Sequence, residues 1–201
     1  LYGSESFYRM EIIQALSHKL ITSDNRDFNL ENFDARETSV GDWLGAARTL
    51  SFLGGTKLIV IRNLHDTTLE DPEQKLLLEY ITNPELDSCL VITVDKADKK
   101  RKLYKNLTAQ PGALSCEAPQ EAGLFNWVKS RARSFGYSLS SEAARKMVDR
   151  VGAKPGMLAK ELEKVMTYAG KESSISESMV AEVVGEIKTE NAFLLTEALK
   201  E

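Results

Sequence analysis

With 201 residues, of which 42% are hydrophobic, the chain is long enough for one large domain or for an ordinary domain with a small companion. Its 26 basic and 30 acidic residues are typical of a folded protein, and the formal charge of -4 argues against a module whose main task is to coat nucleic acid. The sequence contains neither an apolar run of roughly 20 residues nor a signal stretch, so we expect a cytoplasmic protein with no membrane partner.

The first predicted elements are the end of a strand at residues 1–3 and an amphipathic helix. Apolar residues recur at every fourth position, which indicates a core-facing helix: Tyr8, Ile12, Leu16 and Leu20. Residues 28–33 are predicted to form a short strand. The pattern from Ser39 to Asp42 is that of a capping box, so a second helix is predicted to carry Trp43, Ala47 and Leu50.

Two unbroken apolar runs predict strands that are buried on both faces. They lie at residues 57–63 and 88–94, and neither shows the alternation of a half-solvated strand. Between them, Leu77 and Tyr80 belong to another helical face, and residues 114–117 are a candidate for a last strand. Alternating strands and helices favour a parallel, layered α/β sheet.

From Pro119 onward, every periodic segment predicts a helix, so the domains are expected at 1–118 and 119–190. Helix stops are expected at Gly136 and Gly152, and helix starts at Ser140, Pro155 and Ser176. The predicted helical faces carry these apolar residues: Leu124, Val128, Ala132 and Phe135; Ala144, Met147, Val148 and Val151; Leu158, Leu162, Val165, Met166 and Ala169. The second domain is therefore predicted to be a small helical bundle. Because the chain starts without methionine and ends within the helical pattern of 191–201, we expect a fragment of a longer protein.

A sheet followed by a helical lid suggests a nucleotide-dependent motor, but the phosphate loop is missing from the sequence. The first strand leads into Gly3-Ser4-Glu5, no Gly-Lys-Ser/Thr occurs anywhere, and Glu5 would repel a triphosphate. The next buried strand leads into Arg62-Asn63 rather than an acidic pair. We therefore expect no nucleotide, no metal and no other cofactor.

Other catalytic interpretations find little support. His18 and His65 have no neighbouring nucleophile motif, so both are expected to be structural or solvated. His65, Asp95 and Asp98 could form a metal cluster after strand ends, but polar loop residues at the sheet rim are the favoured interpretation. The two cysteines, Cys89 and Cys116, have neither zinc nor disulfide spacing and are expected to be reduced and buried.

Two segments are candidates for binding. The first segment is basic and contains Lys99, Lys100, Arg101, Lys102 and Lys105. It is a candidate for contact with a phosphate backbone. The favoured interpretation is a solvated helix start that carries Leu103 and Leu107 inward.

The second segment joins a helix to a buried strand and places Phe52 and Leu53 before Gly54-Gly55. Two such residues at a turn can point outward as a binding surface or close the end of the sheet, and spacing alone leaves both open.

The whole chain resembles the family of delta subunits of the bacterial DNA polymerase III clamp loader. The resemblance depends on the order and spacing of several strings: Tyr2-Gly3-Ser4-Glu5, Thr49-Leu50-Ser51-Phe52-Leu53-Gly54, Lys57-Leu58-Ile59-Val60-Ile61, Asp98 with Arg101-Lys102-Leu103-Tyr104-Lys105, and Gly156-Met157-Leu158 with Glu161-Leu162-Glu163-Lys164-Val165. The sequence departs from the family pattern at two positions. Ser51 stands where relatives often carry proline or leucine. Gly156-Met157-Leu158 is followed by Ala159, so the lid lacks the arginine that active AAA+ relatives carry there.

The resemblance implies an AAA+-like parallel sheet domain with a degenerate nucleotide site, followed by a small all-helical lid. It also implies that 191–201 starts the connection to a further collar domain. In such subunits, the residues at Phe52 and Leu53 enter a pocket on the sliding clamp, with Leu50 and Ser51 beside them. The implied function is that of a non-catalytic holoenzyme component that binds and opens the clamp (the beta subunit).

The implied partners are the sliding clamp, other clamp-loader subunits, and primed DNA within the assembled complex. Two alternatives from other functional classes are an ATPase with an unconventional phosphate site and a DNA-binding adaptor that uses residues 99–105.

Overall fold

The computed structural model describes residues 1–185, and the helical segment predicted at 191–201 lies outside them. The chain divides into two compact units, the first of which is Leu1–Glu117, while the second begins at Ala118. Within the described residues, no helix is long and apolar enough to cross a membrane.

The first unit is a parallel sheet with helices on both faces. Its elements are α1 (Ser6–Leu20), α2 (Arg26–Asn29), β1 (Leu30–Asp34), α3 (Val40–Arg48), β2 (Lys57–Arg62), a 3-10 turn (Leu64–Asp66), α4 (Asp71–Thr82), β3 (Ser88–Ile92) and α5 (Lys102–Thr108). The strand order is β1-β2-β3, with Leu30 opposite Leu58 and Lys57 opposite Ser88. All three strands run in parallel, so their amino ends share one edge of the sheet and their carboxyl ends share the other.

The central strand β2 is covered on both faces, as its unbroken apolar run predicts. Leu58 and Val60 pack in a cluster with residues of α1, including Leu16. Ile59 and Ile61 pack on the other side, in a cluster that contains Trp43 of α3, Leu77 and Tyr80 of α4, and Leu103 and Tyr104 of α5. β3 is half-buried for most of its length, so burial on both faces was predicted correctly only for β2.

Three expectations for the first unit are wrong in detail. Residues 28 and 29 belong to α2 rather than to a strand, because the Asn25 carbonyl accepts both their backbone N–H groups. α3 ends at Arg48, so Leu50 lies outside the helix and is exposed. Residues 114–117 form an isolated bridge rather than a strand: Tyr2 pairs with Ser115 on one side and with Val94 on the other.

The second unit has its own apolar core. Its elements are α6 (Glu121–Ser134), β4 (Ser138–Leu139), α7 (Ser141–Val151), α8 (Pro155–Ala169), β5 (Ser174–Ile175) and α9 (Glu177–Val183). The helical lid thus also contains one short parallel pair, β4 with β5, which the sequence pattern did not predict.

Local signals at the helix ends of this unit predicted the structure well. Ser140 and Ser176 accept hydrogen bonds from the backbone at the starts of α7 and α9, Pro155 opens α8, and Gly152 ends α7 at φ 80°. The predicted apolar faces of α7 and α8 are buried. Phe135 is the exception on α6, because it follows the last turn and is half-exposed.

Candidate protein-docking site

The carboxyl edge of the sheet contains the loop where an active motor would hold phosphate. Gly3 has φ 131°, and a Cβ there would lie 2.6 Å from the backbone of Cys116, so only glycine fits. The Glu117 carboxylate accepts hydrogen bonds from the Ser4 backbone N–H at 3.2 Å and from the Ser4 hydroxyl at 2.7 Å. The Glu5 carboxylate accepts from the Phe7 backbone N–H at 3.0 Å and so caps α1. Backbone donors that would bind an anion therefore face the protein's own carboxylates.

These hydrogen bonds also set the ionisation of Glu117. Donation from the Ser4 hydroxyl and from the Ser4 N–H lowers the pKa of this carboxyl below its ordinary value, because both bonds favour the charged form. Arg9 also lies at this edge of the sheet. Its buried guanidinium donates to the Gly3 carbonyl and forms an ion pair with Asp95 at 2.6 Å. Neither role was predicted, because Glu117 is 113 residues from Ser4 and Arg9 interrupts an otherwise ordinary helical pattern.

The polar residues considered as a metal cluster are engaged with one another and with the backbone. His65 Nδ1 accepts from the Asp95 N–H at 3.4 Å, and the Asp98 carboxylate accepts from the Lys100 N–H at 3.0 Å. Within the described ranges, no three potential ligands form a metal-binding group. Of the two free thiols, Cys116 is buried, but Cys89 is only half-buried, contrary to expectation; burial raises the pKa of both.

The basic segment lies at the start of α5. Lys99, Lys100, Lys102 and Lys105 are exposed, while Arg101 is half-buried. The Lys99 ammonium lies 5.3 Å from the centre of the Tyr2 ring, and the Arg101 guanidinium lies 5.3 Å from that of Tyr104. Leu103 is buried and Leu107 packs against the same core, so the segment has the geometry of a solvated helix start.

At the opposite, amino edge of the sheet, residues 49–56 form the loop that leads into β2. Phe52 is 86% exposed, Leu53 51% and Leu50 79%. The Gly54 N–H donates to the Ser51 carbonyl at 3.2 Å, and Gly54 and Gly55 have φ values of 74° and 80°, which favour glycine. The outward orientation is therefore confirmed, and the alternative that Phe52 and Leu53 close the end of the sheet is excluded.

A buried amide holds this loop in place. Asn29 is fully buried; its side-chain Nδ2 donates to the Gly54 carbonyl at 2.9 Å and to the Thr56 carbonyl at 3.3 Å. Its Oδ1 accepts from the Ser51 hydroxyl, which is also 2.9 Å from the Gly54 carbonyl. No sequence pattern indicated this role of Asn29, because 25 residues separate it from Gly54.

Comparisons with known proteins identify the same family over the whole of the first unit. A family model described as DNA polymerase III, delta subunit, matches residues 1–117. A curated relative, DNA polymerase III subunit delta of Bacillus subtilis, is 24% identical over 203 residues, which cover 97% of this chain and 58% of the relative. The chain therefore spans less than two thirds of that relative's length.

Solved structures establish the fold. The Bacillus subtilis DNA clamp loader delta protein superposes with a TM-score of 0.79 at 22% identity, covering 92% of this chain and 57% of that one. A RuvB mutant from Thermotoga maritima superposes with a TM-score of 0.52 at 14% identity, covering 91% and 59%. These likenesses confirm the predicted AAA+-like fold, in which a parallel sheet domain precedes a small helical domain.

Proposed function

Because this chain belongs to the DNA polymerase III delta subunit family, we propose that it binds and opens the sliding clamp of the replicative polymerase without catalysing a reaction itself. Its implied partners are the clamp, other clamp-loader subunits and, within the assembled complex, primed DNA. Preferential binding to an open clamp is sufficient for such a role, because a ligand shifts an equilibrium by its differential affinity for the two states. We propose that the protein acts in the cytoplasm.

The observation that carries the proposal is the exposure of Phe52 and Leu53 on a loop whose backbone is fixed. Large apolar side chains that project together from an ordered loop are typical of a contact with another protein. The Asn29 and Ser51 hydrogen bonds hold the loop before a partner arrives, so little conformational entropy has to be lost on binding. Leu50 is exposed on the same loop and is available to the same partner. Ser51 supports the site indirectly, because its hydroxyl donates to the Gly54 carbonyl and holds the turn.

Titration of the chain with the sliding clamp of the same organism tests this function. We expect a saturable complex in calorimetry and a shifted peak in size-exclusion chromatography. The matched control is the Phe52→Ala, Leu53→Ala variant, which should fail to shift the peak at the same concentrations. Absence of binding by the wild-type chain would contradict the proposal.

The contacts of Glu117 and Glu5 support the further proposal that the chain binds no nucleotide. Both carboxylates accept backbone N–H groups at the start of α1, where a triphosphate would need free donors and no negative charge. Calorimetric titration with Mg-ATP should give no heat of binding. Micromolar affinity would instead favour the ATPase alternative.

One observation favours an additional contact with DNA. The exposed lysines Lys99, Lys100, Lys102 and Lys105 form no ion pair among the residues that the structure describes. Within the assembled loader, these lysines would contact the phosphate backbone of DNA. Binding of the chain alone to primed DNA, with a steep salt dependence and without clamp, would favour the adaptor alternative over the clamp proposal.

A further inference from the structure

Exposed large apolar side chains are concentrated at the amino edge of the sheet. The described residues include nine such side chains, and five of them lie at this edge: Phe28, Leu50, Phe52, Leu53 and Leu86. They come together because Phe28 precedes β1 by two residues, the 49–56 loop precedes β2, and Leu86 precedes β3 by two residues. Scattered apolar residues are ordinary on a surface, but a contiguous group of this kind marks an interaction site.

Phe28 adjoins the 49–56 loop on the side of β1. Its ring centre lies 6.2 Å from that of Phe52, with 40° between the ring planes, and the side chain is 52% exposed. The next residue, Asn29, is buried and hydrogen-bonded to the same loop. The backbone that carries Phe28 is therefore fixed relative to Phe52.

Leu86 adjoins the loop on the side of β3. Its side chain is 97% exposed, and it shares a cleft of about 210 Å3 with Leu50. The cleft lies between residues 47–50 on one side and residues 85–87 on the other. The Lys57 N–H donates to the Asp87 carbonyl at 2.9 Å, which ties the loop that carries Leu86 to the start of β2.

We propose that Phe28 and Leu86 extend the clamp-docking surface on both sides of Phe52 and Leu53, so that the short helix α2 and two loops hold the sliding clamp. This inference rests on the proposed function. The clamp is the occupant because the patch is continuous with the loop assigned to it: Phe28 contacts Phe52, and Leu86 shares a cleft with Leu50.

The size of a stable interface supports the same conclusion. Such interfaces bury about 800 Å2 on each partner. A large aromatic side chain buries roughly 150–250 Å2, so even two side chains of that size bury at most roughly 500 Å2, and Phe52 and Leu53 alone do not supply the whole area. Side chains that lie next to them and are already exposed can supply part of the remainder without any change of fold.

The experiment compares Phe28→Ala, Leu86→Ala and Leu86→Asp with Met10→Ala in the full 201-residue chain, by calorimetric titration with the sliding clamp. Met10 is an exposed apolar residue near the start of α1 and serves as the matched control. Each alanine variant at the patch should weaken binding about tenfold, and Leu86→Asp should weaken it further, whereas Met10→Ala should bind as the wild type does. Melting temperatures measured in parallel should be unchanged for the Leu86 variants.

Three outcomes are distinguishable. Weakened binding by the patch variants alone supports the inference. Wild-type affinity for Phe28→Ala, Leu86→Ala and Leu86→Asp, together with loss of binding by Phe52→Ala, would overturn the inference and leave the proposed function in place. If the wild-type chain does not bind the clamp, both are overturned.

Discussion

At the scale of single residues, the side chains at the tip of the 49–56 loop and those beneath it have separate roles. Phe52 and Leu53 make few contacts within the chain and are available to a partner, whereas Ser51 and Asn29 determine the path of the backbone that carries them. By the family resemblance, proline or leucine would be expected at the position of Ser51. Its hydroxyl bonds to Asn29 and Gly54, which gives a physical reason why the loop can hold its shape without proline.

The Phe52→Ala, Leu53→Ala double variant removes both large side chains at the tip of the loop. Truncation of two anchors should remove ~4 kcal/mol of binding free energy, which weakens clamp affinity on the order of a thousandfold. The free energy of unfolding should barely change, because both side chains are already exposed. Surface plasmon resonance and urea denaturation measure the two quantities. A variant that unfolds much more readily, or one that still binds tightly, would remove these residues from the docking site.

A different result is expected for Asn29→Ala. Its removal leaves the Gly54 and Thr56 carbonyls without their side-chain donor, so the free energy of unfolding should fall by roughly 1–3 kcal/mol. Clamp affinity should also fall, because the loop loses its anchor. Asn32→Ala is the control: Asn32 is exposed and accepts from Arg62 at 3.1 Å, so its effect should stay within about 0.5 kcal/mol. Equal stability of the two variants would contradict the anchoring role.

Glu117 provides a prediction about pH. Hydrogen bonds from Ser4 lower the pKa of the folded-state carboxyl below its ordinary value of 4.5, so the charged carboxylate stabilises the fold above that pH. This contribution is lost as the pH falls through the lowered pKa. The difference in unfolding free energy between wild type and Glu117→Gln should therefore be largest near neutral pH and should shrink in acid. Urea unfolding at a series of pH values measures it, and a pH-independent difference would argue against the Ser4 contacts.

At the scale of elements, the end of α3 sets where the 49–56 loop begins, and the capping box sets where α3 starts. The Ser39 hydroxyl accepts from the Asp42 N–H, and the Asp42 carboxylate accepts from the Ser39 N–H. Ser39→Ala should lower the free energy of unfolding by about 1 kcal/mol. Gly45→Ala, in the same helix and with open space around the new methyl group, should raise it by about 0.5–1 kcal/mol.

Both substitutions should leave clamp affinity unchanged, because neither residue contacts the exposed tip of the loop. Thermal or urea unfolding measures the stability changes, and the same clamp titration serves as the readout of function. A change in affinity that follows the change in stability would indicate that the docking loop depends on α3 as a whole.

The sequence could predict features that depend on neighbouring residues. Local patterns predicted three kinds of feature: the helix caps at Ser39 and Ser140, the apolar run that forms β2, and the turn glycines Gly54 and Gly55. Features that depend on distant pairs were missed: the side chain of Asn29, at the end of α2, is bound to the loop 25 residues away. The exposed Leu86 could not be distinguished from a core leucine by spacing alone.

At the scale of the first unit as a whole, the parallel sheet separates two kinds of site. At the carboxyl edge, Arg9 forms an ion pair with Asp95, and the Glu117 carboxylate accepts from the Ser4 hydroxyl. The loops at the amino edge carry the exposed apolar patch. Since a parallel sheet places the ends of all its strands at two opposite edges, the proposed loss of nucleotide binding at one edge need not disturb the proposed protein binding at the other.

The proposed docking surface lies wholly within the first unit of the chain. All five exposed apolar residues of the patch belong to the first unit, and the cores of that unit are built from its own residues. Residues 1–117 expressed alone should therefore fold and bind the sliding clamp. Their affinity should lie within about tenfold of that of the 201-residue chain, because removal of the second unit can lower the stability of the first slightly. Residues 118–201, which carry a separate core, are the control and should not bind. Circular dichroism establishes that each piece is folded, and calorimetric titration measures the affinity. A folded 1–117 piece that fails to bind, beside a 201-residue chain that does, would show that the second unit contributes contacts that the patch alone does not supply.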